Sequence, residues 1–224
     1  VVEANTLARC HHRFISIMGG AQATFSPEPF PESGMDAYCV GEGDYAFRDF
    51  MDNIDDFNSV PNLITRLKRN PIRQLIHDLD ELPPADRDLV LANSFLGKAA
   101  KKTFYATRGC PFNCSYCCNS YYHKLYSGQP TMRRFSVSRL ITEIINVRSK
   151  YRMDFVKFGD DCFTIRADDW LKEFASEYAR WIAKPFNCYL RVDTIDDKML
   201  GLLRKAGCYS VNLSVDSTNP DIRE

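Results

Sequence analysis

The segment Thr103-Phe104-Tyr105-Ala106-Thr107-Arg108-Gly109-Cys110-Pro111-Phe112-Asn113-Cys114-Ser115-Tyr116-Cys117-Cys118-Asn119 decides how the rest of the chain is read. Thr103 to Thr107 predicts a strand, because β-branched and aromatic residues fit a pleated surface. Directly after it, Cys110, Cys114 and Cys117 are separated by three and then two residues. In α/β folds ligands bind beyond the C-terminal ends of strands, so this loop lies where chemistry happens. Three soft sulfur ligands suit an iron–sulfur cluster or zinc. A structural zinc needs a fourth ligand, which Cys118 or His123 could supply. A [4Fe-4S] cluster held by three cysteines leaves one iron open to a substrate or second cofactor. Packing thiols are the plain alternative. Cys118 stands too close to Cys117 to be a natural fourth ligand in either metal site.

Downstream the pattern is regular. Ser136 is placed to cap a helix with Val137, Leu140, Ile141, Ile144, Val147 and Tyr151 on its apolar face. Phe155 to Phe158 is a second strand. Trp170, Leu171, Phe174, Ala175, Tyr178 and Ile182 line the next helix. Phe186 to Leu190 is a third strand. Thr194 and Asp197 predict a capping box for a helix with Met199, Leu200, Leu202 and Leu203, ending at Gly207 in the left-handed position. Tyr209 to Leu213 is a fourth strand. Strand and helix repeated at this spacing mean parallel βα units, either an open sheet or part of a barrel.

Upstream, Phe14 to Met18 reads as a strand ending at Gly19-Gly20, and Ala37 to Val40 as another ending at Gly41-Glu42-Gly43. Ala46, Phe47, Phe50, Met51 and Ile54 follow at helical spacing. Pro27, Pro29 and Pro31 lie between the two strands. Residues 57–102 have weak periodicity and a Pro83-Pro84 pair, and read as a linker that contains the domain boundary. The expected division is 1–56 for the tail of an α/β domain, 57–102 for the linker and 103–224 for the βα series.

Length and composition bound the function. The chain has 224 residues, enough for one or two domains, and 45% apolar residues, enough for a sizeable core. Lys plus Arg and Asp plus Glu both number 29, and this zero net charge argues against a general nucleic-acid binder, which needs a basic surplus. No run of 18 apolar residues predicts a membrane span, and no export signal opens the chain, so a cytoplasmic setting is expected. The start at Val1-Val2-Glu3 and the end at Asn219-Pro220-Asp221-Ile222-Arg223-Glu224 read as those of a fragment. Cys10, Cys39, Cys162, Cys188 and Cys208 lie scattered, mostly among apolar neighbours, and read as small buried hydrophobes. The basic runs Lys98 with Lys101-Lys102 and Arg133-Arg134 read as solvated faces.

Cys110-x-x-x-Cys114-x-Tyr116-Cys117 after a strand resembles the signature of the radical S-adenosylmethionine (SAM) enzymes. The resemblance implies a partial (β/α)6 TIM-like barrel, of which the first four strands are present. It implies a [4Fe-4S] cluster on Cys110, Cys114 and Cys117, with SAM on the fourth iron and Tyr116 beside the cofactor. One-electron cleavage of SAM then yields a 5′-deoxyadenosyl radical that abstracts hydrogen from an unactivated carbon. Gly19-Gly20-Ala21-Gln22-Ala23-Thr24, then Pro27-Glu28, Asp36 and Gly41-Glu42-Gly43, resembles the C-terminal part of a Rossmann-like cobalamin-binding domain. In that group Gly19 and Gly20 would let the backbone approach the cobalamin tail. The Asp-x-His-x-x-Gly loop with the lower cobalt ligand is absent from this sequence.

The same resemblance implies further contacts. Gly159 with Asp160 or Asp161 would meet the methionyl amino group, helix capping being the plain alternative. Arg191 would meet the carboxylate of SAM, or pair with Asp193. Asp216, in Ser214-Val215-Asp216-Ser217, would meet the ribose, where many relatives carry Gly-x-Glu-Ser. The function implied is cobalamin-dependent methyl transfer to carbon or phosphorus of a small molecule, with flavodoxin or ferredoxin as reductant. Alternatives are a radical cyclase or rearrangement enzyme of tetrapyrrole, lipid or antibiotic biosynthesis, or a zinc-stabilised binding module.

Overall fold

The structure is a computed structural model and describes residues 1–26, 33–215, 217–219 and 221. In chain order its regular elements are α1 (Val2–Arg9), β1 (Ile17–Met18), α2 (Gly20–Phe25), β2 (Ala37–Cys39), α3 (Asp44–Asp52), β3 (Leu63–Thr65), α4 (Asp88–Leu91), β4 (Lys101–Phe104), β5 (Thr107–Arg108), α5 (Cys118–Leu125), β6 (Arg133–Arg134), α6 (Val137–Lys150), β7 (Phe155–Phe158), α7 (Asp169–Trp181), β8 (Phe186–Tyr189), α8 (Asp197–Ala206) and β9 (Cys208–Asn212). They form two compact units, one of residues 1–77 and 112–131, the other of residues 78–111 and 132–224.

The second unit is α/β. Its sheet has the order β4-β7-β8-β9, every pair parallel, with α6, α7 and α8 as the crossovers. This is the sheet of a partial TIM-like barrel. Period-2 alternation sends Phe104, Val156, Phe158, Phe186 and Cys188 into the core with the helices. Thr103, Lys157, Asn187 and Tyr189 take the opposite face. Phe174 of α7, fully buried, packs against Phe158, Phe163, Tyr178 and Phe186 with ring centroids 5.1 to 5.8 Å apart, and stacks on Trp170. Such rings gain from edge-to-face geometry beyond the area they bury.

The helix ends follow local chemistry. Ser136 accepts the Arg139 N–H at 3.1 Å, and Gly207 closes α8 at φ +94°. The predicted Thr194–Asp197 capping box is replaced: Asp196 caps α8, accepting the Met199 N–H at 2.7 Å. The Thr194 hydroxyl donates instead to the Arg191 carbonyl in a 3-10 turn. Leu200 stays exposed, while α8 buries Met199, Leu203 and Ala206. The expected strand 103–107 divides into β4 and β5, and β5 pairs antiparallel with β6. Two corrections concern charge. Lys102 is buried, its ammonium bonded to the carbonyls of Leu96, Gly97 and Ala99. Arg133 is buried and Arg134 pairs with Asp168 at 2.6 Å. Lys98 and Lys101 are exposed as expected, whereas Lys102, Arg133 and Arg134 do not form solvated faces.

In the first unit, β1 pairs parallel with β2 and β2 antiparallel with β3. This unit takes in residues up to His77 and, beyond the segment 78–111 of the second unit, residues 112–131. The apolar clusters are small: Ala37, Cys39, Ala46, Phe50, Val60 and Leu63 in one, Ala23, Met35 and Tyr38 in the other. Of the expected apolar face of α3, only Ala46 and Phe50 are buried, while Phe47, Met51 and Ile54 are exposed. A helix laid on one short sheet covers a single i, i+4 stripe.

Candidate active site

The end of β7 carries Gly159, Asp160 and Asp161, which line an open cleft of about 440 Å³ with Thr103, Tyr105, Lys157 and Tyr189. All of these lie at or near the C-terminal ends of parallel strands, where a barrel places its site. Asp160 is buried. One of its carboxylate oxygens accepts three hydrogen bonds, from the N–H of Ala106 at 2.8 Å, the N–H of Thr107 at 2.6 Å and the Thr107 hydroxyl at 2.8 Å. This clamp fixes the chain three residues before Cys110. The other oxygen is buried with no hydrogen-bond partner among the described residues. Burial pushes the Asp160 carboxyl up to about 6, against the lowering effect of the bonds from Thr107 and Ala106. The capping alternative for Asp160 does not apply, since Asp168 caps α7 by accepting the Leu171 N–H at 3.1 Å.

Other predicted residues are placed as follows. Asp161 is exposed on the cleft. At Gly159 a Cβ would stand 2.8 Å from the Tyr105 ring and 3.1 Å from the Thr103 methyl, so its missing side chain makes room for Tyr105. Arg191 holds Asp193 through Nε at 2.7 and 2.9 Å. Gly20 has φ +86° with nothing near an added Cβ, and Gly19 precedes α2. Asp216 and the Pro27-Glu28 pair lie outside the described residues.

Of the three spaced cysteines, Cys110 belongs to the second unit and Cys114 and Cys117 to the first. Among the described residues no three Cys, His, Asp or Glu side chains are gathered closely enough to hold a metal ion, so spacing carries the ligand assignment. The donor chemistry fits a cluster. None of the nine cysteines is in a disulfide, and all three are half-buried. Cys117 is the N-cap of α5, and its N–H bonds the Cys114 carbonyl at 3.0 Å. The buried Asn119 donates through Nδ2 to the Cys117 sulfur at 3.6 Å, a contact of the kind that tunes a metal-bound thiolate. Cys118, exposed, opens the helix, and Tyr116 is exposed beside it. Burial, with the neighbouring Cys110 adding, pushes the Cys162 thiol up to about 11, so Cys162 remains a packing thiol.

Sequence reasoning missed Asn119, Tyr105, Lys157 and Tyr189. The last three were findable, since alternation along β4, β7 and β8 puts polar and tyrosine side chains on the face opposite the core. There the Lys157 ammonium lies 5.2 Å from the Tyr189 ring centroid and, with Asn212, holds the phenol below its usual range.

Comparison with protein families matches residues 104–224, more than half the chain, to the Radical SAM superfamily. The chain belongs to this superfamily. Among relatives of this radical SAM chain, a methyltransferase of Pyrococcus horikoshii described as uncharacterized is 29% identical over 93% of the chain and 46% of its own length. Cytidylyl-2-hydroxyethylphosphonate methyltransferase of Streptomyces wedmorensis is 22% identical over 91% of the chain and 44% of its own length. Among solved structures, the radical SAM methyltransferase TsrM of Kitasatospora setae, with cobalamin and a [4Fe-4S] cluster bound, superposes with a TM-score of 0.71. That match covers 98% of this chain and 45% of TsrM at 16% identity, a likeness of fold. The chain spans about half the length of the curated relatives it matches.

Proposed function

We propose that the chain carries the cluster-binding and SAM-binding part of a radical SAM methyltransferase acting on a small molecule. The observation that carries this reading is Asp160, with one oxygen spent on the strand before the cysteine loop and the other buried without a partner. A cationic amino group set against that second oxygen would make a charge-assisted bond, relieving the cost of a buried carboxylate. Asp160 is therefore our choice over Asp161 for the methionyl amino group.

In this reading Cys110, Cys114 and Cys117 hold a [4Fe-4S] cluster, with Asn119 bonding one sulfur. Tyr116 lies beside the cofactor, Arg191 faces the carboxylate of SAM and Asp216 the ribose. When bound, the cluster and SAM supply a 5′-deoxyadenosyl radical, and cobalamin in the whole protein supplies the methyl group. Thr103, Tyr105, Lys157 and Tyr189 line the cleft where the substrate would be oriented. Gly19 and Gly20 leave the backbone open to the cobalamin tail. A flavodoxin-like or ferredoxin-like partner would supply the electron. The methyltransferase relatives support transfer of methyl, and TsrM supports the use of cobalamin.

The test is anaerobic reconstitution with iron and sulfide. The chain should take up ~4 irons and lose most of them on changing Cys110, Cys114 or Cys117 to Ala. Cys118→Ala should keep them. A colourless protein holding one zinc, or equal iron loss in Cys118→Ala, would overturn the assignment. For the whole protein, about one cobalt per chain should survive desalting after incubation with cobalamin, and no retained cobalt would remove cobalamin from the reading.

A further inference from the structure

Two glycine-bearing motifs of the first unit meet each other, and both meet the helix that follows the cysteines. Gly41 has φ +78°, and a Cβ there would stand 1.9 Å from the Tyr126 hydroxyl oxygen and 3.0 Å from its Cζ. The phenol fills that space and is buried, and its oxygen accepts the Glu42 N–H at 3.0 Å. The Glu42 carboxylate in turn accepts the Ile76 N–H at 2.9 Å, and the Gln129 side chain accepts the Leu75 N–H at 2.8 Å. The Thr24 hydroxyl, from the first motif, accepts the Gly41 N–H at 3.0 Å and donates to the Gly20 carbonyl at 2.9 Å. Phe25 packs edge-on against Tyr121 and Tyr122, with centroids 4.8 and 5.4 Å away. Tyr122 lies parallel to Tyr126.

Tyr126 is the C-cap of α5 and Cys117 is its N-cap. A helix is a stiff rod, so fixing one end fixes the other. We infer that the Gly41–Gly43 turn is a socket for Tyr126, which positions α5 and with it Cys114 and Cys117 for cluster ligation. The cluster half of this statement rests on the function proposed above. Gly41, Glu42, Thr24 and Tyr126 are positioning residues. Burial pushes the Tyr126 phenol up from its ordinary value, so the side chain in the socket is neutral at any physiological pH.

Four variants of the chain test the socket: Gly41→Ala, Tyr126→Phe, the two combined, and Gly128→Ala. Gly128 has φ +80° with open space around an added Cβ, so it carries the same backbone strain as Gly41 without the collision. Gly41→Ala should expel the phenol. Amide hydrogen exchange across Cys117–Tyr126 should then rise about tenfold, equivalent to ~1.4 kcal/mol of lost placement. Bleaching of the reconstituted cluster by a chelator should accelerate by a similar factor. Gly41→Ala combined with Tyr126→Phe should recover part of both rates, because the oxygen at 1.9 Å is gone. Such rescue is the mark of one shared contact, which a general loss of stability would not give. Wild-type rates in Gly41→Ala, equal damage in Gly128→Ala, or no rescue in the combined variant would each overturn the socket. If the parent chain takes up no iron, the cluster reading falls, and the exchange rates still decide whether the turn holds α5.

Discussion

The βα unit and the N-terminal unit are held together by different means. In the βα unit one continuous apolar core runs from Phe104 to Ala206 and joins four strands to three helices. In the N-terminal unit the apolar clusters hold six and three buried residues, and much of the backbone is tied by single side chains. Asn62 bonds the Val40 carbonyl and the Arg73 N–H, and Asn70 the carbonyls of Asn58 and Leu63. The difference separates two routes to precision. A packed core places whole elements by excluded volume. Side-chain to backbone bonds place individual turns, and each lost bond strands a buried polar partner.

The largest effect expected from this contrast is in the aromatic centre of the βα unit. Phe174→Ala would remove a ring that touches Phe158, Phe163, Tyr178 and Phe186. A cavity of that kind costs about 3–5 kcal/mol. Urea unfolding should show a lower midpoint at constant slope. A loss below about 1 kcal/mol would mean that the core collapses around the gap, and that packing does not set this unit apart.

The contrast also explains what can be read from sequence. The βα series was legible because a core shared by many residues imprints a period: Leu140, Ile144 and Val147 recur at helical spacing, and Phe104, Val156, Phe158 and Phe186 fall on one face of their strands. The cysteine loop was legible because ligand spacing is itself a pattern. Tyr126 inside the Gly41 turn was not, since a contact across 85 positions leaves no period. The return of residues 112–131 to the first unit was hidden for the same reason. Lys102 was misread because a run of lysines looks solvated, whereas three carbonyls at the end of a 3-10 turn draw its ammonium inside. The caps Asp168 and Asp196 were one or more residues from where the pattern pointed, because any short acceptor near a helix start can serve.

Asp160 is the place where the βα unit uses the other unit's method, and it sharpens the comparison. Its carboxyl titrates near 6 in the folded chain against a usual 3.8. Between these values the folded state holds more protons than the unfolded one, so its stability falls as pH rises. The fall should total about 3 kcal/mol over the whole titration of this group in the metal-free chain, about 2 kcal/mol of it between pH 4 and pH 6, at 1.4 kcal/mol per unit. Asp160→Asn keeps an acceptor for Ala106 and Thr107 and cannot ionise, so this slope should vanish from its pH–stability profile. Parallel profiles for the two proteins would mean that the carboxylate is not desolvated and that the clamp works as a surface contact.

The smallest effect lies in the N-terminal unit, at Asn62. Its φ of +70° is left-handed, a conformation Asn adopts more readily than other residues with a Cβ. The side chain is buried, with Nδ2 donating to the Val40 carbonyl at 2.8 Å and Oδ1 accepting the Arg73 N–H at 3.0 Å. Asn62→Ala would lose both bonds and keep the strain, at a cost of about 2 kcal/mol or somewhat more. Asn62→Gly would lose the same bonds but relax the backbone, so it should be the milder change by about 1 kcal/mol. That order is opposite to the one at an ordinary buried site, where Gly adds entropy loss to the missing contacts. It is therefore diagnostic when the two variants are compared by urea midpoint. Two variants within about 0.5 kcal/mol of the parent would show that this turn is held by its neighbours. Packing would then place this turn, as it places the helices of the βα unit.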